Sequence, residues 1–286
     1  MTQFSKIAWT DHTFNPWIGC AKVSDGCAHC YAEVDTFARR SRAAGLELWG
    51  PRAARHVTSL ANWAKPLAWD RAARAAGVRH RVFCASLADV FEDRPELADE
   101  RARLFALIRE TQDLDWLLLT KRPENIVRLW AAARADVEAA QPEGLVPKTL
   151  PNLWLGTTAE NQATAETRVP ELLRAPAVVR FVSAEPLLGP LILDPWMPVT
   201  IGPGKPAVDW VIVGGESGPR ARPFDMTWAR WLRSQCVNAG AAFFMKQAGA
   251  RPYLPGFASS LRDPKGGDPE EWPADLRVRE WPVVVR

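Results

Sequence analysis

Six short apolar runs, each closed by polar or small residues and each followed by a helical pattern or a polar turn, constrain this chain more than any other feature. They are Arg81–Ser86 (RVFCAS), Trp116–Thr120 (WLLLT), Leu153–Thr157 (LWLGT), Val178–Ser183 (VVRFVS), Trp210–Gly214 (WVIVG) and Ala242–Met245 (AFFM). Strands that expose one face to water alternate apolar and polar residues. These runs are nearly continuous, so they read as parallel strands buried on both faces. Between them come patterns such as LADVFEDRPELADERARLFALIRET, with Leu97, Leu104, Leu107 and Ile108 at helical spacing and Pro95 near the start. A less regular strand before Cys20 brings the expected number of parallel strands to six or seven. The repeat of roughly 25 to 40 residues per unit fits an α/β fold, a single (β/α) barrel or partial barrel. A doubly wound open sheet is the alternative, because order in space is not written in the sequence.

The length of 286 residues suits one large domain. The expected organisation is a barrel-like domain over 1–250, carrying a cysteine loop at 19–31, followed by a Pro-rich C-terminal extension over 251–286 that packs on it. Asp194–Ala207 (DPWMPVTIGPGKPA) reads as a long loop. No apolar run approaches the ~18 residues that span a bilayer. MTQFSKIAWTDHTFNPW has no basic segment leading into an apolar core, so no signal peptide is expected and the cytoplasm is the expected location. Most of the 14 tryptophans, among them Trp116, Trp154, Trp210, Trp228 and Trp231, lie in apolar stretches and are expected in the core rather than stacked on bases. A net charge of +3 is too small to announce nucleic-acid binding by itself.

In barrels of this kind the chemistry sits where strands end. Polar residues recur there: Ser86 and Asp89; Thr120, Lys121 and Arg122; Thr157, Thr158, Glu160 and Asn161; Ser183 and Glu185; Gly214, Gly215, Glu216 and Ser217; Lys246 and Gln247. A ring of carboxylates, amines and hydroxyls round one mouth is how a polar pocket is built. Lys121, Glu185 and Lys246 are the candidate catalytic residues. Ser183, Gly214, Gly215, Glu216, Thr157 and Glu160 are the candidate cofactor-binding residues, the two glycines because they let a ligand approach the backbone closely. For Glu160 and Asp89 a helix cap or a surface pair is an equal alternative.

Five cysteines, an odd number, do not make a disulfide framework. Cys20, Cys27 and Cys30 cluster in GCAKVSDGCAHCY, where Gly19 and Gly26 supply turns and a helical pattern follows. Three readings of this set compete. A [4Fe–4S] cluster on three thiolates keeps one iron open for a ligand. A structural zinc needs a fourth ligand such as His29 or His12. The third reading is three reduced core cysteines. Cys84, in an apolar strand, and Cys236, in an amphipathic helix, read as small core residues. A metal-dependent hydrolase needs His and Asp at strand ends, and of the four histidines only His80 lies beside a core strand. GPGKP at 202–206 lacks the spacing of a phosphate loop, and GxSxG and HExxH are absent.

The opening IAWTDHTFNPWIGCAKVSDGCAHCYAE, together with FCASLADVFED, LLTKRPEN, PNLWLGTTAENQ, RFVSAEPLLGP, DWVIVGGESGPRARP, FFMKQAG and DLRVREWP, resembles a phage-associated family of three-Cys-motif proteins. That family is in turn similar to divergent radical S-adenosylmethionine (SAM) enzymes. The resemblance implies a partial (β/α) barrel, with Cys20, Cys27 and Cys30 as the ligands of a [4Fe–4S] cluster whose open iron binds SAM for reductive cleavage to a 5′-deoxyadenosyl radical. It implies an enzyme acting on a nucleotide, nucleic acid or related metabolite, and a partner protein encoded nearby. The GGE at Gly214–Glu216 is similar to the SAM-amine motif of those enzymes. A zinc-stabilised nucleic-acid-binding protein without catalysis is the alternative.

Overall fold

The computed structural model describes residues 5–139, 149–256 and 261–284. Its main strands are β1 (His12–Phe14), β2 (His80–Cys84), β3 (Leu114–Thr120), β4 (Leu153–Thr158), β5 (Val179–Ala184), β6 (Trp210–Gly214) and β7 (Ala242–Gln247). They follow one another in hydrogen-bonded order from β1 to β7, so chain order and sheet order coincide in a seven-stranded α/β arrangement. The pairs β1–β2, β2–β3, β5–β6 and β6–β7 are parallel. The chain forms two compact units, Met1–Leu155 with Ala175–Val178, and Gly156–Arg174 with Val179–Arg286. The boundary passes through β4.

In the first unit, β2 and β3 run in register from His80 opposite Leu114 to Cys84 opposite Leu118. The helices α1 (Thr36–Ala43) and α2 (Lys65–Ala76) lie between β1 and β2, α3 (Ala98–Glu110) follows β2 and α4 (Ile126–Ala139) follows β3. Helix α3 buries Leu104, Phe105, Leu107 and Ile108, the helical stripe expected there, and Phe105 meets Trp130 of α4 edge-on at 4.6 Å. Phe14 lies edge-on to both Trp63 and Trp116. Strand β3 starts two residues earlier than its apolar run because Asp115 is buried in it, paired with Arg79 at 2.9 Å. A charged residue inside a strand breaks the apolar signal. Strand β2 ends at Cys84, two residues before its run does.

In the second unit, Trp210, Val211, Ile212 and Val213 of β6 are all fully buried, as a strand covered on both faces requires. On one side Val182, Ala184, Val211, Val213, Phe243 and Met245 share a core with residues of α5 (Gln162–Leu173) and α6 (Met226–Ala239). Each Val, Phe and Met among them contributes roughly 1.5–3 kcal/mol through burial. Asn161 opens α5 with a capping box to Thr164, and Gly240 closes α6 in the left-handed conformation at φ 71°. Trp231 departs from its expected place: it is 53% exposed. The inward stripe of α6 is Met226, Ala229, Leu232, Cys236 and Ala239, and position 231 falls outside that stripe.

The segment read as a loop over Asp194–Ala207 contains two short helical turns, Asp194–Trp196 and Pro198–Ile201. Of the C-terminal extension, 257–260 and 285–286 lie outside the described residues. Pro252–Tyr253 pairs with Phe224–Asp225, and Val278–Glu280 lies along β7. Met245 N–H donates to the Val278 carbonyl at 2.9 Å and Glu280 N–H to the Phe243 carbonyl at 2.9 Å. Trp272 and Leu276 are buried in the core of this unit. The open edge of β7 is thereby covered.

Candidate functional site

The three clustered cysteines lie in the first unit, none of them in a disulfide and each half-buried. Cys20 is held firmly by the backbone. Gly19 N–H donates to the Leu87 carbonyl, the Cys20 carbonyl accepts from Gly50 N–H, and both bonds are 2.9 Å. Gly19 has φ 116° and packs on the Leu48 carbonyl so closely that a Cβ would collide with it, so glycine is required there. Cys27 ends a short turn, Asp25–Cys27, and its N–H donates to the Ser24 carbonyl. Cys30 precedes a single helical turn, Tyr31–Val34. The Tyr31 hydroxyl donates to the Ser86 carbonyl at 2.8 Å, and Lys22 pairs with Glu33 at 2.6 Å. Among the described residues, no three His, Cys, Asp or Glu side chains are gathered so as to hold a metal ion. The cysteines share one loop without forming a closed ligand set.

Beneath Cys20 lies a buried network of charges. Arg122 donates from Nη1 to Asp89 at 2.9 Å and from Nη2 to the Ala21 carbonyl at 2.8 Å, and its Nη1 stands 3.7 Å from Cys20 Sγ. Asp89 also accepts from the Thr120 hydroxyl at 2.7 Å, the Phe91 N–H and the Lys121 N–H. Arg55 grips Glu92. Burial, then the Asp89 carboxylate, pushes the Cys20 thiol up to about 12, while Arg122 opposes the rise. Burial works against the charge of Arg122, but Asp89 and Cys20 outweigh it and hold the guanidinium above the ordinary arginine range. Cys236 is pushed up to about 12 and Cys84 is raised as well, both chiefly by burial, which suits unreactive core thiols.

The second unit carries the other candidates. At the ends of β5 and β7, Lys246 Nζ stands 3.0 Å from Glu185 Oε1, and the Ser183 hydroxyl is 3.2 Å from Glu185 Oε2. The Lys246–Glu185 contact is an ion pair without hydrogen-bond alignment, since Oε1 is buried with no hydrogen-bond partner among the described residues. Gly214 ends β6 between them, and a Cβ there would come within 2.7 Å of Glu185 Oε1. Its missing side chain thus makes room for the Glu185 carboxylate. At Gly215 a Cβ would come within 2.6 Å of the Ala248 carbonyl.

Other expected residues are engaged elsewhere. Glu160, fully buried, pairs with Arg168 of α5 at 2.8 Å, and Glu216 pairs with Arg222, which also donates its N–H to that carboxylate. Thr157 is fully buried. Lys121, in the first unit, is half-buried. The structure therefore joins Ser183, Glu185, Gly214 and Lys246 into one cluster, and Cys20 with Arg122 and Asp89 into another. Arg55, Glu92 and Asn15 were not expected at a site. Asn15, which donates to Ser86 Oγ at 3.1 Å and accepts the Leu87 N–H at 2.8 Å, braces the turn after β2. Nothing in the FNPW around it marks a site in the sequence.

Among the described residues, no helix is long and apolar enough to cross a membrane. A family described as "Protein of unknown function (DUF5131)" matches residues 4–259, which include the cysteine loop and all seven strands. Comparison with curated proteins and with solved structures gives no match.

Proposed function

The chain belongs to the DUF5131 family, and we propose that it is an iron–sulfur enzyme of the radical SAM type, with Cys20, Cys27 and Cys30 as ligands of a [4Fe–4S] cluster. The phage association, the three-Cys motif and the partial (β/α) barrel of that superfamily belong to the same reading. So do a nucleotide, nucleic acid or related metabolite as substrate, and a partner protein encoded nearby.

The observation that carries it is the cysteine loop itself: three free thiols on one segment, with the Arg122 guanidinium 3.7 Å from the first. The donors suit the group in kind. Thiolates are soft ligands, and a buried cation beside one of them offsets the negative charge that a thiolate-bound cluster brings. Because the side chains are not gathered as they stand, loading has to bring Cys27 and Cys30 toward Cys20. When bound, the cluster and SAM would supply reductive radical chemistry. The chain's own part is to bind and to move protons. Lys246 and Glu185 form an acid–base pair at the ends of β7 and β5, with the Ser183 hydroxyl orienting the carboxylate. Lys121 is the further candidate for anchoring an anionic group.

Anaerobic purification with iron reconstitution, followed by absorbance and EPR with and without SAM, tests the reading. The expected result is iron uptake and a SAM-dependent EPR change that Cys27→Ala abolishes. One equivalent of zinc with no iron uptake would overturn it in favour of a zinc-stabilised nucleic-acid-binding protein.

A further inference from the structure

The cysteines of the loop are held unequally. Cys27 and Cys30 are held by the backbone of their own turn, with Cys27 N–H on the Ser24 carbonyl at 2.9 Å and Cys30 N–H on the Cys27 carbonyl at 3.4 Å. Cys20 is tied to residues far away in sequence. Its neighbour Gly19 bonds to Leu87, its own carbonyl to Gly50, and Arg122, 102 positions on, reaches both its Sγ and the carbonyl of Ala21.

Arg122 can serve as such a tie because it is itself fixed. One nitrogen of its planar fork is bonded to Asp89 at 2.9 Å, with Cys20 Sγ at 3.7 Å, and the other to Ala21 at 2.8 Å. The Asp89 carboxylate is in turn locked by the Phe91 N–H, the Thr120 hydroxyl and the Lys121 N–H. A lysine could bring the charge to this place but could not bridge both partners, because an ammonium lacks the rigid two-nitrogen fork.

We propose that Arg122 is the positioning residue of the cysteine loop: it fixes Cys20 as the stationary donor and supplies the charge that balances its thiolate, while Cys27 and Cys30 arrive with their turn. The positioning role rests on the hydrogen bonds alone. The charge role rests on the iron–sulfur reading of the same loop.

The full chain carrying Arg122→Ala or Arg122→Lys separates these roles. Without metal, hydrogen exchange read by mass spectrometry is expected to rise in Arg122→Ala and Arg122→Lys over peptides spanning 18–23, with 210–214 unchanged. With iron, Arg122→Ala is expected to retain roughly tenfold less metal, the scale seen when a residue supporting a ligand is removed. Its midpoint potential is expected to fall, because removing a positive charge beside an anionic cluster disfavours the incoming electron. Arg122→Lys is expected to bring the potential back toward wild type without restoring protection, a split that a merely structural role would not produce. Wild-type exchange in both variants would overturn the positioning role, and an unchanged potential in Arg122→Ala would overturn the charge role. If the wild-type chain takes up no iron, the cluster reading and the charge role fail together, while exchange still decides the positioning. If Arg122→Ala does not fold, Arg122→Lys carries the exchange test.

Discussion

Arg55 and Glu92 form a two-pronged ion pair at 2.7 and 2.8 Å, with the arginine side chain wholly buried and the glutamate 7% exposed. The guanidinium also donates to the carbonyls of Leu48, Gly50 and Ala53. The chain on either side of Trp49 is thereby pinned to the turn after β2, and Gly50 in turn holds Cys20. A charge pair so far from the cysteines in sequence thus shapes the loop that carries them.

Removing one partner of this pair leaves a buried charge without its counterion. Glu92→Leu and Arg55→Met are each expected to destabilise the chain by about 3–5 kcal/mol. The double variant is expected to lose less than the sum of the two. Urea denaturation of the four proteins reads the coupling, and additive losses would sink the idea.

Gly156 lies in β4 against the ring of Phe181, where any Cβ would overlap the ring. Phe181 is fully buried and has little room to move. Gly156→Ala is expected to cost roughly 1–3 kcal/mol by overpacking, and a smaller residue at 181 to recover part of it. A thermal midpoint equal to wild type would contradict this.

Asp275 accepts two hydrogen bonds from Arg230 of α6, at 2.7 and 3.0 Å, and these hold its carboxyl below the ordinary aspartate range. A carboxyl lowered on folding adds stability above its unfolded value of about 3.9, and that stability is lost as pH falls through the folded value. Both side chains are 42% exposed, so solvent screens the pair and it is worth at most about 1 kcal/mol. Asp275→Asn is therefore expected to lower stability slightly at neutral pH and by less at pH 2, as read by denaturation at the two pH values.

Glu185 and Lys246 are 12% and 26% exposed, and partial solvation tempers the cost of separating them. Glu185→Gln and Lys246→Met are expected to depress product formation by about a hundredfold if the pair moves protons. The SAM-dependent EPR change of the iron-loaded protein should persist in both. Turnover within a factor of two of wild type would remove these residues from the reaction.

Much of this architecture was legible in the sequence, and the reason is physical. A strand buried on both faces has to be apolar along its whole length, so WVIVG at 210–214 gave β6 with both its ends. Where a buried charge interrupts the run, as Asp115 does in β3, the boundary slipped. The cysteine loop was plain as a segment, but closeness in sequence does not by itself gather three thiols round one point, and among the described residues they are not so gathered. Composition alone could not sort the polar strand ends, because a carboxylate's role depends on which cation the fold delivers to it. Glu160 finds Arg168 eight positions on, and Glu216 finds Arg222 six positions on. Glu185 instead meets Lys246 from another strand, and Cys20 meets Arg122 across 102 positions. Local periodicity fixes a residue's face, whereas its partner is chosen by strand order and register, and these exist only once the chain has folded.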